Sequence, residues 1–251
     1  MRENRMTITI DGPAGSGKTS VARELAQRLG IRVLQSGLLY RAAAIVILVN
    51  RGIISKNALK NSDFSVDMAV CAAIKNDLTV SEVERLSCIE YGYADGAISP
   101  YVLIDGQSVE KELSTFGVGL PASVVSQHPL VREWAVAVQR AVALRYDVVA
   151  EGRDCGTVVF PQAEHQFFLT ASLEVRQKRV AADTQRGVAK ADEQFLQKSI
   201  LDRDLHDQTR KIAPLVASHR ALIVDTSALS LQEVVDFLLK KIIEQRSNPQ
   251  S

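Results

Sequence analysis

The stretch Ile10–Ser20, IDGPAGSGKTS, separates two patterns of different period. Ahead of it Met6–Thr9 (MTIT) alternates apolar and polar side chains, as a strand does. Behind it Val21–Gly30 (VARELAQRLG) carries apolar residues at helical spacing. A glycine-rich turn that joins a strand to a helix is suited to hold a phosphate. Gly12-Pro13-Ala14-Gly15-Ser16-Gly17-Lys18-Thr19 fits G-x-x-x-x-G-K-[ST] without a mismatch. The glycines let the backbone wrap close, so that successive N–H groups point at phosphate oxygens. Lys18 brings a positive charge to the β and γ phosphates, and Thr19 a hydroxyl for Mg²⁺. The motif therefore implies a nucleoside triphosphate. It does not say which group, if any, receives the phosphate.

The rest of the composition narrows the field without deciding it. The chain has 251 residues, of which 46% are apolar and 24% charged, an ordinary globular balance. Its formal net charge of +1 gives no global field for nucleic acid or anionic membrane, so any anion site must be built locally. The longest wholly apolar run, Ala42–Val49, is too short to span a bilayer. Met1–Arg5 is polar and lacks an apolar signal core, so a cytoplasmic protein is expected. Cys71, Cys88 and Cys155 are odd in number and widely spaced, which argues against a disulfide framework or zinc site and for small buried hydrophobes. None of the four histidines has metal-ligand spacing, and His165, after a Pro-containing loop, is expected at the surface.

Five short apolar runs read as buried parallel strands: Thr7–Ile10, Arg32–Leu34, Val148–Ala150, Gln166–Leu169 and Leu222–Val224. Most are followed by polar turn residues and a helical pattern, as in βαβ units. The last helix is the plainest, with Leu231, Val234, Val235, Leu238, Leu239, Ile242 and Ile243 on one face and a capping box from Ser230 to Glu233. Between Ser55 and Thr115 this pattern breaks. Tyr101–Val109 (YVLIDGQSV) places an Asp-Gly turn between β-type residues, which predicts a hairpin. Phe64 to about Glu112 thus reads as a small insert. A second departure, Arg176–Lys211, is helical and charged, and Gln185–Asp192 (QRGVAKAD) interrupts it as a mobile flap would.

Four segments offer groups for an acceptor. Gln35–Ala43 (QSGLLYRAA) follows the second strand and puts Ser36 and Arg41 at the carboxyl edge of the sheet, where ligands bind in open α/β folds. Ala122–Trp134 carries Ser123 and Arg132. Val148–Pro161 (VVAEGRDCGTVVFP) offers Glu151, Arg153 and Asp154. Leu201–Leu215 (LDRDLHDQTRKIAPL) gives Arg203, Asp207 and Arg210 at spacings that can share one helix face. Each alone could be a salt bridge. Together they supply more arginines than a lone triphosphate requires.

These residues carry a family resemblance. From the phosphate loop to the final helix the chain resembles the bacterial cytidylate kinases, in IDGPAGSGKTS, SGLLYRA, GRDCGTVVFP and RDLHDQTRKIAPL. The resemblance implies an α/β P-loop nucleoside monophosphate kinase fold. Its parts would be a five-stranded parallel sheet with helices on both faces, a monophosphate-binding insert and a lid. On that pattern residues 1–63, 113–175 and 212–251 form the core, 64–112 the insert and 176–211 the lid.

The activity implied is transfer from ATP, with Mg²⁺, to CMP and dCMP. The chain would act as a monomer, with no nucleic acid and no membrane as partner. Gly12 through Ser20 would bind ATP, with Arg176 and Arg179 facing the triphosphate from the lid. Ser36, Arg41, Arg153 and Arg203 match the groups around the CMP phosphate and the moving phosphoryl. Ser123, Arg132 and Asp154 match the cytosine readers, and Asp207 and Arg210 the residues at ribose and base. Lys18, Arg153 and Arg203 would be the catalytic set.

Three positions depart from the family: Gln35 for Asp, Glu151 for Asp, and Ser114 for an arginine after the insert. The longer Glu151 could still reach a magnesium-bound water. A kinase for UMP or AMP is the nearest alternative, and a non-catalytic P-loop switch or silent nucleotide-binding protein lies further off.

Overall fold

The computed structural model describes residues 5–55, 74, 78–182 and 193–247. In chain order the elements are β1 (Thr7–Asp11), α1 (Lys18–Leu29), β2 (Arg32–Gln35), α2 (Ser36–Asn50), α3 (Val80–Glu84), β3 (Ile89–Gly92), β4 (Tyr101–Ile104), β5 (Gln107–Ser108), α4 (Glu110–Ser114), α5 (Gly119–Val125), α6 (Pro129–Arg145), β6 (Val148–Gly152), β7 (His165–Thr170), α7 (Leu173–Ala182), α8 (Glu193–Thr209), β8 (Leu222–Asp225) and α9 (Leu231–Ser247). A single π turn, Cys155–Val159, follows β6.

The main sheet is five-stranded and parallel, in the order β2-β6-β1-β7-β8. Its alternating side chains feed two apolar layers, as period-two strands buried on both faces must. Ile8, Ile10, Val149, Phe167 and Leu169 join α1 and α9 on one face. Leu34, Val148 and Ala150 join Val142 of α6 and Cys155 on the other.

The five strands occupy the predicted runs, and each continues further at its carboxyl end. The added residues include Asp11, Gln35, Glu151, Gly152, Thr170 and Asp225. Polarity ends the sequence pattern there, but pairing continues, with Asp11 against Gly152 and Gln35 against Glu151. The sheet thus delivers a polar row to its carboxyl edge, where the site lies.

Helix α2 is apolar all round because it is buried all round. Leu39, Ala43, Val46 and Ile47 pack with Ala122 and Val125 of α5 and Val131 and Ala135 of α6. Ala42 and Ile45 pack with Val109 and Leu113, at and in α4, and with Val102 of the smaller, antiparallel sheet β3-β4-β5 that precedes it. Its hairpin turns at Asp105 and Gly106, both at positive φ (50° and 74°), as the Asp-Gly pair predicts. This sheet also covers the open edge of β2. Gln35 N donates to Tyr91 Oη (2.9 Å), Tyr93 Oη to Val33 O (2.8 Å), and Val33 N to Ile98 O (2.9 Å).

The capping box of α9 is present, with Glu233 N donating to Ser230 Oγ and Ser230 N to Glu233 Oε2. His165 corrects the sequence reading, being buried rather than exposed. It opens β7 against Ile8 in mid-sheet, and its Nδ1 meets Gln245 Oε1 of α9 at 2.5 Å. Cys155 is buried and Cys88 half-buried. Cys71, the beginning of the insert (64–73) and the flap Gln185–Asp192 lie outside the described residues. Among the described residues no helix is long and apolar enough to cross a membrane.

Candidate active site

A cleft of about 580 Å³ opens along the carboxyl edge of the main sheet. One end is the loop between β1 and α1. Gly12, Gly15 and Gly17 take φ of 146°, 74° and 91° there, which side chains resist. A Cβ on Gly12 would stand 2.0 Å from the Leu169 carbonyl of β7, so only glycine lets the loop lie on the sheet. Gly17 leads into α1, whose first turn carries no acidic residue to compete with an anion.

Lys18 is buried and its Nζ donates back into the loop, to Pro13 O (2.6 Å) and Ser16 Oγ (3.3 Å). Burial, then the charge of Arg153, holds its pKa well below the ordinary lysine value. A phosphate brought to this ammonium would replace weak neutral partners with strong charged ones. Beside it Thr19 Oγ1 donates to Glu151 Oε1 at 3.1 Å. Ser20 also lines the cleft.

The middle of the cleft carries arginines from three elements. Arg41 on α2 donates through Nη1 to the Leu113 and Thr115 carbonyls, both at 2.8 Å. Arg203 on α8 reaches the same place, because a Cβ on Gly119 would meet both guanidinium groups at 3.4 Å. Arg153 donates through Nε to Asp207 Oδ2 at 2.8 Å. Burial disfavours the Arg153 charge, yet the neighbouring Asp207 carboxylate outweighs it and raises the pKa. Ser36 Oγ, at the start of α2, donates to the Glu151 carbonyl at 2.9 Å.

At the far end Asp154 is gripped from two sides. Arg132 Nη2 donates to Oδ2, and Arg210 Nη2 to Oδ1 at 3.4 Å, with all three side chains at most 5% exposed. Arg132 Nη1 donates to Ser126 O (3.0 Å), and its guanidinium lies 5.6 Å from the Tyr40 ring centroid. Burial lowers the Arg210 pKa despite Asp154 and Asp207. Ser123 Oγ donates to Asp207 Oδ1 at 3.3 Å.

One cleft therefore gathers residues from Ala14 through Ser20 with Ser36, Arg41, Ser123, Glu151, Arg153, Asp154, Arg179, Arg203, Asp207 and Arg210. Gly12 and Pro13, the first residues of the loop, and Arg132, which stands behind Asp154, lie off the cleft wall. Arg176 also turns away from it. Its Nη1 donates to the Ala14 carbonyl (3.1 Å) and to Asp204, its Nε to Ala171 O. Arg179 donates to Thr226 Oγ1 (2.8 Å) and Thr226 O (2.7 Å) and reaches Ser16 O at 3.4 Å. Among the described residues no group of three or more His, Cys, Asp or Glu is placed to hold a metal.

Four contributors were not singled out in the sequence: Tyr40, Gly119 and Ser126 on the wall, and Asp204 behind it. Asp204 had a signal, standing next to Arg203 at helical spacing from Asp207. Asp11 is a fifth. It is buried and accepts the N–H groups of Cys155 (2.9 Å) and Gly156 (2.7 Å), so β1 holds the turn that carries Arg153 and Asp154.

Comparison with known proteins gives the family of the chain's relatives. The profile of the family described as cytidylate kinase matches residues 8–244. A protein of Thermodesulfovibrio yellowstonii named cytidylate kinase is 35% identical over 241 residues, covering 96% of this chain and 99% of the relative. One of Bdellovibrio bacteriovorus with the same name is 39% identical over 241 residues, covering 94% and 97%. One of a Geobacillus species, again so named, is 36% identical over 245 residues, covering 96% and 98%.

Proposed function

The chain belongs to the cytidylate kinase family, and from that premise we propose how this cleft moves a phosphoryl group from ATP to CMP or dCMP. It is a phosphotransferase acting on CMP. The observation that supports the site reading is one continuous cleft with the phosphate loop at one end and the Asp154–Arg210 pair at the other.

The donor phosphates lie in the loop Gly12–Ser20, with Lys18 Nζ moving from Pro13 O and Ser16 Oγ onto phosphate oxygens. Arg179, beside Ser16, adds charge at the rim, whereas Arg176 acts from behind the loop. Thr19 and Glu151 present a hydroxyl and a carboxylate 3.1 Å apart. Such hard oxygen donors suit Mg²⁺, which takes few protein ligands and keeps several waters. The pair fits that ion, which when bound offsets charge on the phosphate oxygens.

On the acceptor side Ser36 and Arg41 hold the CMP phosphate. Arg153 and Arg203 face the equatorial oxygens of the phosphoryl in transit, where charge neutralisation and alignment supply most of the catalysis. The attacking atom is an oxygen of the CMP phosphate, and the bond to the β-phosphate oxygen breaks to leave ADP. No general base is needed, because that oxygen carries its own negative charge. Asp207 and Arg210 stand at the ribose and base, with Ser123 and Asp154 at the cytosine edge and Arg132 holding Asp154 from behind.

In this reading residues 64–112 form the acceptor-side insert and 176–211 the lid, over a core of 1–63, 113–175 and 212–251. In the same reading the working unit is a single chain.

An ADP-release assay run in parallel with CMP, dCMP, UMP and AMP tests the proposal. Turnover of CMP and dCMP well above UMP and AMP is expected. Equal turnover of all four would remove the base-reading role. Lys18→Ala is expected to lower turnover by about 10²–10³ or more. Its melting temperature should hardly change, since a buried ammonium with neutral partners adds little stability.

A further inference from the structure

Ala14, a buried residue of the phosphate loop, has both of its backbone groups held by one buried ion pair. Its N–H donates to Asp204 Oδ1 at 3.2 Å. Its carbonyl accepts Arg176 Nη1 at 3.1 Å. Arg176 Nη1 also donates to Asp204 Oδ2, which closes a ring of three bonds around one residue. Arg176 is fixed further by Nε to Ala171 O, at the end of β7. A Cβ on the next residue, Gly15, would stand 2.8 Å from the Arg176 carbonyl, so the loop lies directly on the backbone of α7. Asp204 and Arg176 are 7% and 8% exposed.

Asp204 belongs to α8, the helix that also supplies acceptor-side groups. Arg203, its neighbour in the chain, faces Gly119. Asp207, one turn on, takes Arg153, and Arg210 takes Asp154. The same helix therefore holds the donor loop by one residue and the acceptor pocket by two, Arg203 and Asp207, with Arg210 directly after its last residue. A buried ion pair contributes little net stability over an apolar pair of similar volume. Stability alone is a weak reason for this one, and position is a stronger one.

We propose that Asp204, acting through Arg176 and the Ala14 peptide, is a positioning residue that couples the donor loop to helix α8. Occupation of the loop by the donor thereby sets Arg203, Asp207 and Arg210 for the acceptor. The proposal rests on the reading of the cleft as a site for ATP and CMP. It requires the two ligands to bind cooperatively, and the cooperativity to pass through Asp204.

The test is calorimetric titration of CMP into the full chain, with and without adenylyl imidodiphosphate and Mg²⁺. In the wild type the donor analogue should tighten CMP within the usual range of site coupling, about 5- to 150-fold. In Asp204→Ala the tightening should fall below about threefold, while CMP affinity without the analogue stays within about threefold of wild type. Asp204→Asn keeps an acceptor for the Ala14 N–H but loses the charge facing Arg176, and should give an intermediate ratio. Should Asp204→Ala not fold, a ratio in Asp204→Asn unchanged from wild type would overturn the proposal, and a clear fall would support it. An unchanged ratio in Asp204→Ala, an equal loss of affinity with and without the analogue, or no coupling in the wild type would also overturn it. Turnover of CMP by the wild type is scored separately. Its absence would remove the reading of the site, whereas its presence without coupling removes only the role of Asp204.

Discussion

Asp207 bridges Arg153 and Arg210: it accepts Arg153 Nε at 2.8 Å and stands 3.9 Å from Arg210 Nη1. Burial alone would raise its pKa. The charges of Arg153 and Arg203 outweigh burial and hold it below the ordinary carboxylate value of 3.8. Its contribution to stability is therefore complete above that value and is lost as the pH falls through the lowered one. Removing one partner of such a buried pair leaves a charge uncompensated, at a cost of about 3–5 kcal/mol. Asp207→Ala is expected to lose that much at neutral pH, and the gap to wild type should narrow in strong acid. Denaturant titration across the acid range checks both. A gap that does not change with pH would show that the carboxylate charge is not what stabilises the cleft.

Asp11 has the opposite sign. Burial pushes its carboxyl up to about 6, although the N–H groups of Gly156 and Cys155 pull it down. Ionising it in the fold is harder than in the unfolded chain, so stability falls as the pH rises from 3.8 to about 6 and is level above. Function should follow the other direction, because the ionised form accepts both N–H bonds and fixes the turn bearing Arg153 and Asp154. We expect kcat/KM for CMP to rise with pH through about 6. The CMP phosphate titrates in the same range, so Asp11→Asn is the control. That variant should be lower by about 10- to 100-fold, from one charge-assisted bond of about 1.5–3 kcal/mol. It should also lack the acid limb. An acid limb that persists in Asp11→Asn belongs to the substrate instead.

The sheet and the phosphate loop are legible in the sequence because both are local patterns. Alternation marks β1, and the glycine spacing needs no distant partner. The capping box Ser230–Glu233 and the Asp105–Gly106 turn are legible for the same reason. What escapes is whatever depends on a partner far along the chain. Asp11 lies at the end of an apolar run, and the N–H groups that give it a purpose are 144 and 145 residues away. Asp204 sits in a charged helix, where the same residue types more often face water, and only the approach of Ala14 shows otherwise. Arg176 is visible as a lid arginine, but the direction of its guanidinium depends on how α7 lies on the loop. His165 follows a proline loop and looks exposed until its place in β7 beside Ile8 is known.

Ser114 ends α4 between the two carbonyls that hold Arg41, those of Leu113 and Thr115. Its hydroxyl donates to Lys111 O at 2.7 Å. The family resemblance implies an arginine at this position, next to the guanidinium expected to hold the CMP phosphate. Restoring one charge-assisted contact is worth about 1.5–3 kcal/mol. Ser114→Arg should then lower KM for CMP by about tenfold or more, with kcat nearly unchanged. Steady-state kinetics decide it. An unchanged KM would mean that Arg41 and Arg203 already saturate the phosphate.

Asp154 should make the enzyme prefer cytosine to uracil. Cytosine presents an amino donor at C4 and an unprotonated acceptor at N3, and uracil the reverse. An ionised Asp154 can only accept, which suits the cytosine amine, and Arg132 acts from behind by holding that carboxylate. Arg132 and Arg210 fix the carboxylate from two sides. Each carboxylate oxygen has two lone-pair sites, so these bonds leave acceptor capacity on the cleft side. With uracil the carboxylate would face a carbonyl. Such a mismatch in a buried pocket costs about 1–3 kcal/mol. That corresponds to about 5-fold to 150-fold in catalytic efficiency. Ser123 can donate or accept and should orient the amine without selecting strongly. Asp154→Asn keeps the shape and adds an amide donor for the uracil carbonyl. It also weakens the hold on Arg132 and Arg210, so some loss with both substrates is expected. The measurement that separates structure from selection is the ratio of kcat/KM for CMP to that for UMP. If Asp154 reads the base, the ratio falls by at least about tenfold. If the residue only orders the two arginines, both substrates lose alike and the ratio stands.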